Sequence, residues 1–529
     1  MTTGEPQLTP RGSDLVDKGL AGGKVGTFAG AVLGVSCVAP GYTLTASIGL
    51  IVAAVGLKMP AIFIAGFIPM FLTAYAYREL NSRAPDCGAS FTWSTKAFGP
   101  YVGWMCGWGM VLATIIVLSN LAAIAVEYFY LFLSQLLGIP GIDDLADNKA
   151  VNIATTLVFI ALATYISSRG ISTSEKLQYG LVGFQMVVLV LFAGMAIYKS
   201  VTHPATFDGQ TLSESFSFDW FNPLHGIAIT AFVVGLTGSI FAFWGWDTCL
   251  TLGEESKDPQ KTPGRAGLLA VITILGTYLL VSVAVMMYAG VGDKGIGLGN
   301  EDNGENVFKP LADPVLGKWL GLLLFLAIFA SSAASLQTTF LPAARAMLAM
   351  GAYGAFPKRL ASVHPRYLGP TYATVVAGVI TAVFYAVMKV VSEKALMDTV
   401  AALGIMICWY YGITAFACIW FFRRELFDNT KNIVYKFICP LIGGVILVLV
   451  FVISVGEAWA AGPVLTEVDV AGHPINLHAP GVVFYISVGL LLAGAVLMYV
   501  QRSRHPSFFR GETLSRETPP LTDDLEQVP

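Results

Sequence analysis

Residues 26–54 read GTFAGAVLGVSCVAPGYTLTASIGLIVAA, a stretch without one charged side chain and with Pro40-Gly41 at its middle. A membrane-crossing helix needs about 20 mostly apolar residues, so this stretch is long enough to span a bilayer. It is apolar on all sides rather than at alternate positions, which argues against a strand of an outer-membrane barrel. No water reaches the backbone inside a bilayer, so a helix that satisfies its own amides remains. The Pro40-Gly41 pair interrupts that helix, because proline removes a backbone donor and glycine supplies a hinge.

The same texture recurs along the chain. Its 529 residues are 55% apolar and 12% charged, about half the charge share of a soluble domain. Helix-length apolar runs centre on residues 26–54, 59–78, 100–136, 151–167, 177–198, 226–252, 267–290, 317–344, 371–390, 396–422, 436–455 and 480–500. They predict an all-α polytopic membrane protein with 12 transmembrane helices and short loops. The longer connections, 199–224, 291–316 and 456–479, read as plain connectors, with a lid over a vestibule as the alternative. Residues 1–24 are polar and lack an apolar core followed by a small-residue cleavage site, so no removable leader is expected.

Lysine and arginine set the orientation, since cytoplasmic flanks collect positive charge. With the N-terminus inside, about 23 of the 31 basic residues fall on the cytoplasmic side. The outer side keeps residues such as Lys58, Lys149, Lys199 and Lys389. Both termini are therefore expected in the cytoplasm and the chain in the plasma membrane. The tail after Arg504, rich in Pro, Thr, Asp and Glu, reads as disordered.

Several function classes fall away. A net charge of −3 gives no electrostatic footprint for nucleic acid. Six of the seven cysteines, Cys37, Cys106, Cys249, Cys408, Cys418 and Cys439, lie inside apolar runs and behave there as small hydrophobes. No zinc spacing, metal site or cofactor motif is present, and there is no HExxH or other hydrolytic constellation, so an enzyme is not expected. Rings of charge or repeated carbonyl loops, the marks of a channel, are missing too.

A second interruption lies at residues 239–259, SIFAFWGWDTCLTLGEESKDP, where Gly245 stands between two tryptophans and Asp247 follows. Proline and glycine kinks are common in membrane helices, so either break alone could be packing. The two breaks occupy corresponding positions if helices 1–5 and 6–10 are inverted repeats, the arrangement that builds a midplane binding site. Unwinding frees amides at one half-helix N-terminus, which attract a carboxylate. It also frees carbonyls at a half-helix C-terminus, which accept from an ammonium. One cavity then holds both ends of a zwitterion. Asp247 is an intramembrane carboxylate and hence a functional candidate, with a hydrogen bond to a neighbouring helix as the plain alternative. Glu127, beside Tyr128 and Tyr130, reads as interfacial.

Four ordered segments carry a resemblance: YRELNSRAPDCGASFTWSTKAFGPYVGW (77–104), SRGISTSEKLQ (168–178), EESKDPQKTPGRA (254–266) and ARAMLAMGAYGAFPKRLASVHPRYLGPTYAT (344–374). Together they resemble the amino acid/polyamine/organocation transporter family, with Cys87 and Ser90 departing from its commoner residues. The resemblance implies a LeuT-like 5+5 inverted repeat with discontinuous helices 1 and 6. It further implies a cytoplasmic tail over 1–24, a ten-helix transport core over 25–422, two peripheral helices over 423–501 and a disordered tail over 502–529. Carried onto this sequence, it places Ser36, Cys37, Val38, Ala39 and Gly41 near a substrate carboxylate, with backbone amides as donors. It places the carbonyls of Phe241, Ala242, Phe243 and Trp244, beside Gly245, near an amine, and makes Phe241 an aromatic gate.

Coupling is less marked. Some proton-coupled members of that family place a lysine in helix 5 near the first break; by alignment this chain has Gln185 there, which does not titrate. Asp247 is the remaining proton candidate, and Ser335 or Thr338 would contribute hydroxyls to a sodium site. Arg345, Lys358, Arg359, Glu79 and Lys257 are candidates for an inner gate. The expected function is secondary active transport of an amino acid by alternating access, coupled to a proton or sodium. The alternatives are a polyamine or other organic-cation transporter and, in another class, a solute sensor that does not transport. The expected partners are the small amine-bearing solute and the lipid bilayer.

Overall fold

The computed structural model describes residues 18–20, 22–169, 175–223, 226–392, 394–462, 464–470, 473–478 and 480–518. The segments 1–17 and 519–529, and the centre of the 168–178 motif, lie outside the described residues.

Helix formation follows the punctuation of the sequence. α1 (Thr27–Val38) and α2 (Pro40–Val55) are separated by Ala39, and α3 (Met59–Arg83) follows after one tight turn. α4 (Ser90–Phe98) ends at Gly99, and α5 (Pro100–Leu137) starts with proline in its first turn, where the missing N–H costs no hydrogen bond. α6 (Lys149–Ser167) and α7 (Glu175–Thr202) complete the first half. Then come α8 (Ile229–Phe243), α9 (Thr248–Thr251) and α10 (Thr262–Ala289). α11 (Lys309–Ala352) kinks at Gly317, and α12 (Thr371–Val391) and α13 (Ala395–Phe421) follow. The last helices are α14 (Thr430–Asn432), α15 (Cys439–Ala460), α16 (Val482–Phe484), α17 (Leu490–Arg504) and α18 (Pro506–Phe509).

Among the described residues ten helical stretches are long and apolar enough to cross a bilayer, the first of them, Thr27–Arg83, containing α1 to α3. α8 is a shorter apolar helix. The chain is thus a polytopic helical membrane protein. Large apolar side chains such as Val158, Val187, Val379, Val452 and Val496 are exposed on its outer helices. In water such a surface would aggregate, whereas in lipid it meets its own kind. α5 and α13 are wrapped by their neighbours, while α6 and α17 are open to the surroundings.

The connectors carry two small hairpins. β1 (Thr206–Phe207) pairs with β2 (Gln210–Thr211), and β3 (Val464–Val470) with β4 (His473–His478), both antiparallel. The 291–316 segment is more than a connector. It packs so closely on α2 that a Cβ at Gly49 would come within 2.1 Å of the Gly304 carbonyl oxygen.

The described residues nearest both ends are packed onto the bundle. Lys18 is buried, and the backbone amides of Lys24 and Val25 donate to the Glu255 carbonyl. At the other end Phe508, Phe509 and Leu514 are buried, with Phe508 stacked on Phe91 at 5.7 Å between ring centroids. The Thr513 hydroxyl donates to the Tyr353 carbonyl at 2.6 Å, and Arg516 to that of Phe421 at 2.9 Å. A disordered tail from residue 502 is therefore incorrect as far as residue 518. The polar composition concealed a pair of phenylalanines with an aromatic surface to cover.

Candidate functional site

The two breaks meet. Ala39 adopts φ 52°, a left-handed conformation that ends α1, and α2 restarts at Pro40. α8 ends at Phe243, and the chain runs through Trp244, Gly245 and Trp246 before α9. Gly245 has φ +110°, and a Cβ there would lie 3.1 Å from the Val38 nitrogen and 3.2 Å from the Cys37 carbonyl carbon. Only glycine fits both that conformation and that approach.

The site donors differ in detail from those expected. Ser36, Cys37 and Val38 are helical residues of α1, and the Ala39 amide donates back to the Val35 carbonyl at 2.9 Å. Pro40 has no N–H, so the amides at the N-terminus of α2 without a backbone acceptor among the described residues are those of Gly41 and Tyr42. Among the carbonyls, that of Phe241 accepts from the Trp244 amide at 2.9 Å, and that of Ala242 from the Tyr278 hydroxyl at 2.5 Å. The carbonyls of Phe243 and Trp244 accept nothing from the described residues. The expected sets thus narrow to Gly41 on one side and Phe243 and Trp244 on the other, because the ends of broken helices tighten and consume part of what unwinding frees.

Around the breaks lie buried polar atoms without a partner among the described residues: the hydroxyls of Tyr42, Ser331 and Tyr411, the Trp246 Nε1 and the Asn120 Nδ2. Buried polar groups are normally paired, and a cluster of exceptions asks for a reason. Ser331 faces Gly41, whose Cβ would sit 3.3 Å from the serine Oγ. Sequence reading had no signal for Tyr42, Asn120, Ser331 or Tyr411, since single polar residues are ordinary in membrane helices. Phe241 packs edge-on against Tyr42 with centroids 6.1 Å apart and is 1% exposed. Asp247 is 3% exposed and neighbours Tyr411. The breaks are shut off from both surfaces.

Two coupling candidates need correction. Ser335 donates to the Cys37 carbonyl at 2.7 Å, but the second hydroxyl at this junction is that of Thr339, 3.4 Å from the Cys37 sulfur. Thr338 instead bonds back to the Ala334 and Ser335 carbonyls of its own helix. The α7 residue at the first break is Gln178, which accepts from the Ser36 hydroxyl at 2.6 Å. Gln185 lies two turns farther along α7, buried, with its Oε1 unpartnered among the described residues. Glu127 was expected at the interface, whereas it takes a hydrogen bond from Asn306 in a polar cavity.

At the end of the bundle that holds Lys18, buried ion pairs join several segments. Arg345 of α11 grips Glu255, with Nε to Oε2 at 2.8 Å and Nη2 to Oε1 at 2.9 Å. Lys18 bridges Asp86 at 2.7 Å and Glu254 at 2.6 Å, and its ammonium lies 5.1 Å from the Tyr353 ring centre. Of the residues expected at an inner gate, Arg345 enters this buried charge network. Glu79 pairs instead with neighbouring Arg78, and Lys257 is exposed. Lys358 and Arg359 form a short 3₁₀ turn and enter no ion pair among the described residues. Lys18, Asp86, Glu254 and Glu255 were missed, because in sequence they look like loop charges.

The Lys18 bridge has a defined pH window. Burial alone would lower the Lys18 pKa, but Asp86 and Glu254 hold it well above the ordinary 10.5. Burial pushes Asp86 up, but Lys18 and the Tyr353 and Thr92 hydroxyls more than offset this and leave it below 3.8. The raised lysine contributes stability that is lost only as pH rises through its folded value. The depressed carboxylate contributes stability lost only as pH falls through its own. The bridge is thus intact between those limits. Lys18→Met should lower the melting temperature most at pH 9 and less at pH 5, where Asp86 and Glu254, buried without the ammonium, can take up a proton. A variant that melts with the wild type at pH 9 would contradict this pairing.

Fold and site together define a polytopic helical membrane protein whose two helix breaks meet. The family model described as "Amino acid permease" matches residues 26–500. The chain belongs to that family, whose members are permeases and not enzymes. It is 28% identical over 320 residues to an uncharacterized transporter of Mycobacterium tuberculosis, a match covering 59% of this chain and 62% of that one. It is 23% identical to the low-affinity putrescine importer PlaP of Escherichia coli, covering 66% and 71%. It is 24% identical to the branched-chain amino acid permease BcaP of Bacillus subtilis, covering 68% and 73%.

Proposed function

We propose that the chain is a secondary active transporter that moves an amino acid across the plasma membrane by alternating access. In this reading it has twelve spans, α1 with α2 forming the first and α8 with α9 the sixth. The first ten form a LeuT-like core over 25–422, with two peripheral helices over 423–501. The N-terminal face is cytoplasmic, and so are both termini.

The observation that carries this reading is that the two breaks come together at Gly245 and Cys37–Val38, while the Gly41 and Tyr42 amides and the Phe243 and Trp244 carbonyls make no backbone hydrogen bond among the described residues. A zwitterion supplies the missing partners, its carboxylate at the α2 N-terminus and its ammonium at the α8 C-terminus. Transport needs one shutter on each side. Phe241 on Tyr42 supports the outer one, and Arg345–Glu255 with the Lys18 bridge the inner one. A polyamine is the second reading, favoured by Asp247 beside the same break and by the substrate in the name of the putrescine importer.

Uptake of labelled amino acids and putrescine into proteoliposomes, under separate proton and sodium gradients, tests this. Proton-driven amino acid uptake should fall at least about tenfold in Asp247→Asn, as expected when an intramembrane proton carrier is removed. Putrescine uptake alone would favour the second reading. Specific binding with no accumulation or exchange would leave a sensor and sink transport.

A further inference from the structure

On the face opposite the N-terminus, α5, α6, α12, α13 and the 291–316 segment enclose a cavity of about 130 Å³. Asn120, Glu127, Asn152, Glu305, Tyr385 and Lys389 line it. A water molecule occupies roughly 30 Å³ in the liquid, so the space suits a group of several heavy atoms.

Its polar lining is half committed. Glu127 accepts from the Asn306 amide through Oε1, and Glu305 from the Met397 backbone amide through Oε1 at 3.3 Å. The other oxygen of each carboxylate has no donor among the described residues. Lys389 also lines the cavity and its charge acts on both carboxylates, although it forms no ion pair with either within 4.0 Å among the described residues. Burial pushes the Glu305 pKa up, as it does for any carboxylate short of partners.

Asn120, at the floor beside Tyr42, adds a buried polar group to this lining. It is 4% exposed and lines the cavity; its Oδ1 accepts from Thr399 at 3.0 Å, and its Nδ2 has no partner among the described residues. Its other neighbour is Tyr42, the residue against which Phe241 packs. The floor of the cavity is therefore one residue from the gate over the helix breaks.

We propose that this cavity is a docking site for the primary ammonium group of a small amine, an antechamber from which the solute passes Asn120 and Tyr42 to the central site. The ammonium fills the free oxygens of Glu127 and Glu305, and the Asn120 amide donates to an acceptor elsewhere on the solute. The passage inward rests on the transporter reading; the docking does not.

The test uses the full chain purified in detergent. All seven native cysteines are buried, so Ala395→Cys on the cavity wall provides an accessible thiol. It is labelled with 2-aminoethyl methanethiosulfonate, a primary ammonium, and with the anionic 2-sulfonatoethyl analogue. Relative to free cysteine, the rate ratio should favour the ammonium reagent by about tenfold or more, the low end for a cleft of one charge sign. The ratio should drop at least about fivefold with Glu127→Gln and Glu305→Gln together, and by an intermediate factor with the loop substitution Glu305→Gln alone. The single variant keeps the test valid if the double one fails to fold. A ratio near that of free cysteine, or one indifferent to Glu305→Gln, overturns the docking site. Either result is independent of uptake: a chain that transports without the bias keeps the transporter reading, and a chain with the bias that moves nothing keeps only the docking site.

Discussion

Arg345→Ala should be the most destabilising single change at the N-terminal face, costing about 3–5 kcal/mol, the range for removing one partner of a buried ion pair. The side chains of Arg345 and Glu255 are 3% and 4% exposed, and the pair is bidentate. Burial pushes the Glu255 pKa up, and Arg345 is the largest influence against it. Without the guanidinium, Glu255 must take up a proton or admit water where Lys24 and Val25 dock on its own backbone carbonyl. The loss is therefore expected to spread to the N-terminal segment. Thermal melting in detergent reads the stability, and protection of residues 18–25 from protease reads the docking. Because a buried pair is often replaceable by apolar side chains, Arg345→Met combined with Glu255→Leu should recover most of the melting temperature. It should not recover uptake if the pair opens and closes in each cycle. A single variant that melts with the wild type would show that the pair is not buried in solution.

What could be read in the sequence follows from how far each signal reaches. Charge-free runs are long and redundant, so residues 26–54 and their counterparts announce a helical membrane protein without any structure. The breaks were legible for the same reason: Pro40-Gly41 and Trp244-Gly245-Trp246 are local chemistry that no uniform helix tolerates. Partners across helices were not legible. Lys18 and Asp86 lie 68 positions apart, and Arg345 and Glu255 lie 90 apart. No periodicity joins them. Thr338 was named where Thr339 meets Cys37, because the sequence does not show which way α11 is turned, and it is Thr339, four positions after Ser335, that shares its face. The polar lining of the outer cavity was hidden by rarity, because Glu127 near a helix end has the profile of an interfacial residue until the 291–316 segment folds over it.

Gly245→Ala should cut uptake at low substrate more than about tenfold while leaving the chain inserted and folded. Two separate costs act at this residue. Alanine at φ +110° is strained by about 1–3 kcal/mol, the typical cost of a sparsely populated backbone region. Its methyl group would also meet the Val38 nitrogen at 3.1 Å and the Cys37 carbonyl carbon at 3.2 Å, both backbone atoms that cannot turn aside. Overpacking of this kind costs about 1–3 kcal/mol more. The contact joins two half-helices rather than two stable spans, so the chain relieves it by parting the breaks. Parting them separates the Gly41 and Tyr42 amides from the Phe243 and Trp244 carbonyls, and a zwitterion that must reach both no longer does. Each 1.4 kcal/mol of lost binding is a tenfold loss of affinity, so uptake at low substrate should fall more than about tenfold. Gly456→Ala in α15 is the control, because a Cβ there meets nothing within 4 Å. Initial uptake rates at matched protein content in proteoliposomes decide the matter. Wild-type rates in Gly245→Ala would mean that the two breaks need not touch for the solute to cross.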